Sequence, residues 1–311
     1  MTTVSRKPDF LVIGAARSGT SWLYHNLRQL EGFWLPPKKE LHYFDRHIKY
    51  PTPSYFHDAR LSRRLLGREK CHHSFRRSAG KRVFNDIRRY DVAGLRWSLR
   101  YYFSNVDDQW YQSLFPVRDD LVCGEITPGY QILSEPEIEH VARVAPHVKI
   151  IFMMRNPIYR TWSQIKKDRS AYRSTADLDR ALLAPTISMR NDYLGTIRRW
   201  GRVLPRSQLG IFYFDDIVNN PVRVLNEVSS FLRGEDASVK DCINRSINSS
   251  KTAEMPAPVK KRIAAFVLHD LGKLASELQG YPGLWLREAE RICYGSDVGR
   301  NPSRYSDVLQ S

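Results

Sequence analysis

The sequence predicts an α/β protein built on a central parallel sheet with helices on both faces. Three observations carry that expectation. Apolar runs at 10–13, 148–154 and 209–214 are short, rich in β-branched or aromatic residues, and suit strands buried on both faces. Longer stretches with helical spacing of apolar residues alternate with them. Neither an internal repeat nor a low-complexity tract breaks the alternation.

In chain order, the first strand runs into Gly14-Ala15-Ala16-Arg17-Ser18-Gly19, a turn of mostly small residues. A helix follows from Thr20, with Trp22, Leu23, Leu27 and Leu30 at turn-like spacing. A strand, a small-residue turn and a helix N-terminus make an anion cradle, because backbone N–H groups converge there and the helix dipole favours negative charge. The spacing Gly14-x4-Gly19 is that of a P-loop, so the expected fold is a P-loop-like three-layer α/β. Thr20-Ser21 stands where Lys-Ser/Thr is expected, and the cation sits inside the turn at Arg17. An ordinary tight βα turn fits the same residues.

Prolines 36 and 37 end the first helix region, and 35–45 then reads as a short strand or extended loop near the carboxyl ends of the strands. Residues 46–106 are the least regular by pattern. Thirteen Lys/Arg fall between Arg60 and Arg100 against three acidic residues, with aromatics interspersed. That mixture suits a sugar or polyanion surface, and equally a solvated insertion with buried aromatics.

Helix is expected at 107–115, strand at 121–123, and helix at 136–145. The strand at 148–154 enters Arg155-Asn156-Pro157, and Pro157 suits the first turn of a helix carrying Arg160, Trp162, Ser163 and Ile165. Helices near 176–183 and 189–203, a strand at 209–214 and helices at 221–232 and 256–279 complete the pattern. Arg155 leaves the sheet at its ligand-binding edge, and Ser163 follows eight residues later. A guanidinium holds phosphate bidentately and a hydroxyl adds an uncharged donor, although an arginine after a strand is also a common ion-pair residue.

Forty-nine basic against 33 acidic residues give a net charge of +16 over 311 residues. That balance favours anionic partners: a nucleotide, an acidic glycan, a lipid headgroup or nucleic acid. Four scattered cysteines without a CxxC argue against zinc and against a disulfide framework. With neither a signal-peptide-like run nor a membrane-length apolar span, the expectation is a soluble cytoplasmic protein.

Taken together, the Arg17-Ser18-Gly19-Thr20 loop, the Lys39-Glu40-Leu41-His42-Tyr43-Phe44-Asp45 segment, and Arg155-Asn156-Pro157 followed by Ser163 resemble the sulfotransferases that use 3′-phosphoadenosine-5′-phosphosulfate (PAPS). The nearest branch looks like the heparan sulfate N- and O-sulfotransferases and their bacterial relatives. The resemblance runs from about Asp9 to Leu232 and is weak in 46–106.

It implies a single domain over 1–311, with the 46–106 insertion contributing to the acceptor site. Arg17, Ser18, Gly19, Thr20, Ser21 and Trp22 would bind the 5′-phosphosulfate, and Arg155 with Ser163 the 3′-phosphate. Tyr193 resembles a cofactor-site tyrosine, and Lys251 falls where relatives close a segment over the adenosine, although Thr252-Ala253 replaces their Gly-Arg. Glu40 matches the catalytic carboxylate, with His42 and Asp45 beside it. Lys39, His42, Asp45 and Glu125 are expected at the acceptor. PAPS would be the donor, PAP the product, and no metal would be needed.

Alternatives remain for single residues. Glu40 also reads as a surface carboxylate paired with Lys38 or Lys39, and His42 as base, substrate hydrogen-bonder or structural residue. For the whole chain, a Mg²⁺-dependent kinase or NTPase would use the glycine spacing with Asp215-Asp216 as a Walker-B-like pair. A polyanion- or nucleic-acid-binding protein would use the net charge, but no nucleic-acid motif accompanies it.

Overall fold

The computed structural model describes residues 6–51, 56–167, 174–234 and 254–295. Five strands are β1 (Phe10–Gly14), β2 (Phe33–Trp34), β3 (Val122–Ile126), β4 (Lys149–Met154) and β5 (Leu209–Tyr213). The helices before β3 are α1 (Thr20–Leu27), α2 (Leu61–Leu66), α3 (Lys70–Arg88), α4 (Val92–Tyr102) and α5 (Asp108–Ser113). Then come α6 (Glu135–Val144), α7 (Pro157–Lys167), α8 (Thr175–Leu182), α9 (Pro185–Asn191) and α10 (Tyr193–Val203). The last are α11 (Phe214–Asn219), α12 (Pro221–Arg233), α13 (Ala257–Glu277) and α14 (Tyr281–Tyr294). None of the described helices is long and apolar enough to cross a membrane.

The chain divides into two compact units, Met1–Met154 with Thr196–Asn248, and Arg155–Gly195 with Ser249–Ser311. The first holds an all-parallel sheet of order β2-β3-β1-β4-β5. β1 and β4 are neighbours, with Gly14 opposite Phe152, so both strands deliver their carboxyl ends to the same edge. Phe10, Val12, Ile151 and Met153 pack with Trp22, Leu23 and Leu27 of α1 and with Val224, Leu225 and Val228 of α12. β1 is buried along its whole length and β4 from Ile150 onward, which explains why they read as apolar runs.

Residues 46–106, the least regular stretch by pattern, fold into α2, α3 and α4. The buried face of α3 is His72, Phe75, Ala79 and Asp86, helically spaced but half polar, so the apolar period is hidden. Of its polar members, Asp86 accepts from Ser98 (2.5 Å) and Arg82 (3.0 Å), and His72 Nε2 meets Asp58 Oδ2. Likewise the helix expected at 189–203 is two, α9 and α10, split at Asp192. The Asp192 carboxylate accepts from Gly195 N (2.8 Å) and starts a new helix there.

The second unit is helical. α13 buries Val259, Ile263, Val267, Leu271 and Leu274 on one face, and α14 packs on it through Trp285 and Ala289. Glu288 of α14 accepts from Asn156 (2.9 Å) and Tyr159, and pairs with Lys260 (3.2 Å). These bonds tie the start of α7 to α13 and α14.

Candidate active site

Within the first unit, the turn after β1 is closely packed. Gly14 cannot carry a side chain, since a Cβ would lie 2.9 Å from Gln131 Cβ. Gly19 takes φ +85°, and a Cβ there would meet Ile217 Cδ1 at 2.6 Å. Gly19 is the N-cap of α1 and offers no side-chain cap, so the first N–H groups of that helix need another acceptor. Ser18 is fully buried, and its Oγ has no hydrogen-bond partner among the described residues. A buried hydroxyl left unpaired is costly unless a ligand completes it.

Four described non-glycine residues have positive φ, and three are Arg17 (72°), Glu40 (66°) and His42 (56°). Left-handed backbone at such residues costs on the order of 1–3 kcal/mol each and concentrates at functional sites. The Glu40–Asp45 segment is held there from below. Glu40 N donates to Ile126 O (3.1 Å), Leu41 N to Thr127 Oγ1 (3.0 Å) and Glu125 Oε2 (3.3 Å), and Tyr43 N to Tyr130 Oη (2.9 Å).

That arrangement brings the loop and the segment together. Lys39 Nζ lies 3.0 Å from Ser21 Oγ, 3.4 Å from Thr20 Oγ1 and 3.1 Å from Glu40 Oε1. The cation missing from position 20 of the sequence is therefore supplied in space by Lys39. Lys39, expected at the acceptor, touches the mouth of the anion loop instead.

His42 Nδ1 sits 2.9 Å from Asp45 Oδ2, and Nε2 sits 3.4 Å from Glu40 Oε2. Burial alone would lower the His42 pKa, but hydrogen bonds and charge from Asp45 and Glu40 outweigh it and raise it to about 9. Burial would likewise raise the Glu40 pKa, yet His42 and Lys39 together pull it down to about 2. At neutral pH Glu40 is thus a carboxylate and His42 an imidazolium. Burial lowers the Lys38 pKa to about 8, opposed by Glu40 and aided by Arg82.

Three expected contacts need correction. Asp45 is fully buried, so it orients His42 and does not reach an acceptor. Glu125 is also buried, accepting from Tyr111 (2.6 Å), Tyr130 (2.9 Å), Thr127 (2.7 Å) and Leu41 N. Burial raises its pKa, against those hydrogen bonds, and its work is to anchor the Glu40 segment. The Trp22 side chain belongs to the sheet core, so only its backbone faces the loop.

In the second unit, Arg155 is half-buried, and its carbonyl accepts from the hydroxyl of buried Tyr193 (2.8 Å). Tyr193 therefore positions Arg155. Ser163 is half-buried on α7. Sequence reasoning missed Arg160, which is fully buried on the same helix and bonded to Asn191 Oδ1 through Nε (2.9 Å) and Nη2 (2.7 Å). No carboxylate pairs with it among the described residues, and its Nη1 has no partner there. Burial first, then Arg190 and Arg155, lower its pKa to about 10 despite Tyr193. A buried guanidinium without a carboxylate partner is costly to desolvate. Lys251 lies outside the described residues.

The Walker-B-like reading of Asp215-Asp216 loses support, because both lie in the first turn of α11 and Asp216 pairs with Arg223 (2.5 Å).

Comparison with known proteins identifies the family and the fold. Residues 8–237 match the model of the sulfotransferase family. A sulfotransferase from Alicyclobacillus acidocaldarius superposes with a TM-score of 0.60 at 21% identity, covering 90% of this chain and 98% of that one. The sulfotransferase domain of the Synechococcus PCC 7002 olefin synthase gives 0.51 at 16% identity, covering 90% and 98%. A search of curated protein sequences returned no match. With the family model spanning most of its length, the chain belongs to the sulfotransferase family.

Proposed function

We propose that this sulfotransferase moves a sulfuryl group from PAPS to a hydroxyl or amine of a carbohydrate or small natural product, without a metal. The observation that carries the proposal is Lys39, whose ammonium bridges the anion-loop hydroxyls and the Glu40 carboxylate. Donor loop and base are thereby adjacent, with a cation between them where charge passes from one to the other.

In this reading Arg17, Ser18 and the N–H groups of Gly19 to Trp22 hold the 5′-phosphosulfate. Arg155 and Ser163, with Arg160 behind them, hold the 3′-phosphate. One family match, over residues 8–237, takes in both motifs, which supports one ligand for both ends.

The acceptor oxygen forms a bond to sulfur as the bond to the 5′-phosphate oxygen breaks, and that electron pair leaves with PAP. Arg17, Lys39 and the loop N–H groups stabilise the departing phosphate. The acceptor proton passes to Glu40. It becomes acidic only as the new bond to sulfur forms, so a carboxylate of low pKa suffices. Glu40 is 41% exposed and can release the proton to water. His42, already protonated, orients Glu40 and is not the base.

Lys38 Nζ donates to the Tyr101 hydroxyl of α4 (3.0 Å), beside the Glu40 segment. That contact supports an acceptor site shared with residues 46–106. Incubating the protein with radiolabelled PAPS, a panel of acceptors and excess EDTA tests the reading. Labelled product from a sugar or natural-product hydroxyl or amine is expected. Transfer that stops with EDTA and returns with Mg²⁺ would overturn the metal-free mechanism.

A further inference from the structure

We propose that Glu69, Cys71 and His72, at the start of α3, form a binding site for a divalent transition metal of the zinc class. The site is separate from the transfer chemistry, and no residue of the anion loop or of the Lys39–Asp45 segment takes part. A carboxylate oxygen, a thiol sulfur and a ring nitrogen from these residues lie within 4.8 Å of one another. A tetrahedral ion with bonds of about 2.0–2.3 Å sets its donors roughly 3.3–3.8 Å apart. The Cys71 Sγ to Glu69 Oε2 distance is already 3.6 Å.

The second observation is His72 itself. It is only 5% exposed, its Nε2 lies 2.5 Å from Asp58 Oδ2, and its Nδ1 has no partner among the described residues. A neutral imidazole whose Nε2–H donates a hydrogen bond to Asp58 keeps a lone pair on Nδ1. That carboxylate–histidine pairing is how proteins orient a metal-binding ring. Gly67 makes room for it, since a Cβ there would fall 2.1 Å from Nδ1.

Mixed sulfur, nitrogen and oxygen donors favour zinc over the hard cations Mg²⁺ and Ca²⁺. Three protein ligands leave a fourth position to water. A cavity of about 480 Å³, lined by Asp58, Arg63, Gly67, Glu69 and His72, supplies the entry path. On binding, the Cys71 thiol gives up its proton to solvent and the sulfur bonds as thiolate. The ion would brace the first turn of α3, where all three ligands lie.

The test uses the full chain, stripped with a chelator and titrated with Co²⁺. One equivalent should bind with a thiolate-to-cobalt absorption band, displaced by Zn²⁺. Cys71→Ser should abolish the band, and Asp58→Asn should weaken binding about 10–100-fold. Glu69 is exposed and Cys71 only half-buried, so Cys71→Ser and Glu69→Gln should keep the wild-type circular dichroism. No cobalt bound by the wild type, or an unchanged band in Cys71→Ser, overturns the proposal.

Discussion

Glu40→Gln separates the chemical step from donor binding. The substitution keeps the side chain's shape and removes the charge that sits 3.1 Å from Lys39 Nζ and 3.4 Å from His42 Nε2. Loss of a positioned general base costs about 10²–10⁴-fold. At 1.36 kcal/mol per decade, that is about 2.7–5.4 kcal/mol of transition-state stabilisation. Donor binding should change little, because Lys39 keeps its contacts to Ser21 and Thr20 when Glu40 is neutral. His42 loses one of its two carboxylate neighbours, so its pKa should fall from about 9 toward its ordinary value. The assay pairs initial rates of transfer from labelled PAPS with calorimetric binding of PAP. A drop in rate with PAP affinity held within about threefold is expected. Near-wild-type turnover would remove Glu40 from the mechanism, and parallel loss of rate and PAP affinity would make it a donor-site residue.

Other perturbations test neighbouring parts of the account. His42 has a folded pKa raised from 6.5 to about 9, so its stabilising contribution is full below pH 6.5 and fades as pH rises through 9. Melting temperatures of wild type and His42→Gln should therefore differ at pH 6 and converge above pH 9. Wild-type turnover should be level between pH 6 and 8, whereas a rate climbing toward pH 9 would assign the base to neutral His42. Glu125→Leu removes the acceptor of two tyrosine hydroxyls and a threonine hydroxyl, and should cost about 3–5 kcal/mol in denaturant unfolding. Tyr193→Phe loses the bond to Arg155 O and should weaken PAP binding a few-fold with an unchanged melting temperature, and unaltered affinity would detach Tyr193 from the site.

Much of this was legible in the sequence, and for physical reasons. Buried parallel strands need apolar residues on both faces, so β1 and β4 stand out, and the loop's glycines mark the turn where a Cβ has no room. The 46–106 helices were hidden, because α3 buries a histidine held by Asp58 and an aspartate held by Ser98 instead of a leucine stripe. Burial of Asp45 and Glu125 was equally unreadable, since a carboxylate that anchors a loop and one that meets a substrate look alike in one dimension. Lys39's reach to Ser21 depends on the left-handed turn at Glu40, which propensities for a non-glycine residue argue against. Arg160 carried only a faint signal, an arginine among the apolar positions of α7.

The central claim is that one adenosine nucleotide is held at its 5′ end by the Arg17 loop and at its 3′ end by Arg155. Binding of PAP, 5′-AMP and 3′-AMP to wild type, Arg17→Ala and Arg155→Ala, in EDTA, tests it most directly. Arg155→Ala should weaken PAP and 3′-AMP about tenfold or more and leave 5′-AMP unchanged, while Arg17→Ala should weaken PAP and 5′-AMP and spare 3′-AMP. Losses that ignore which phosphate the ligand carries would contradict the account.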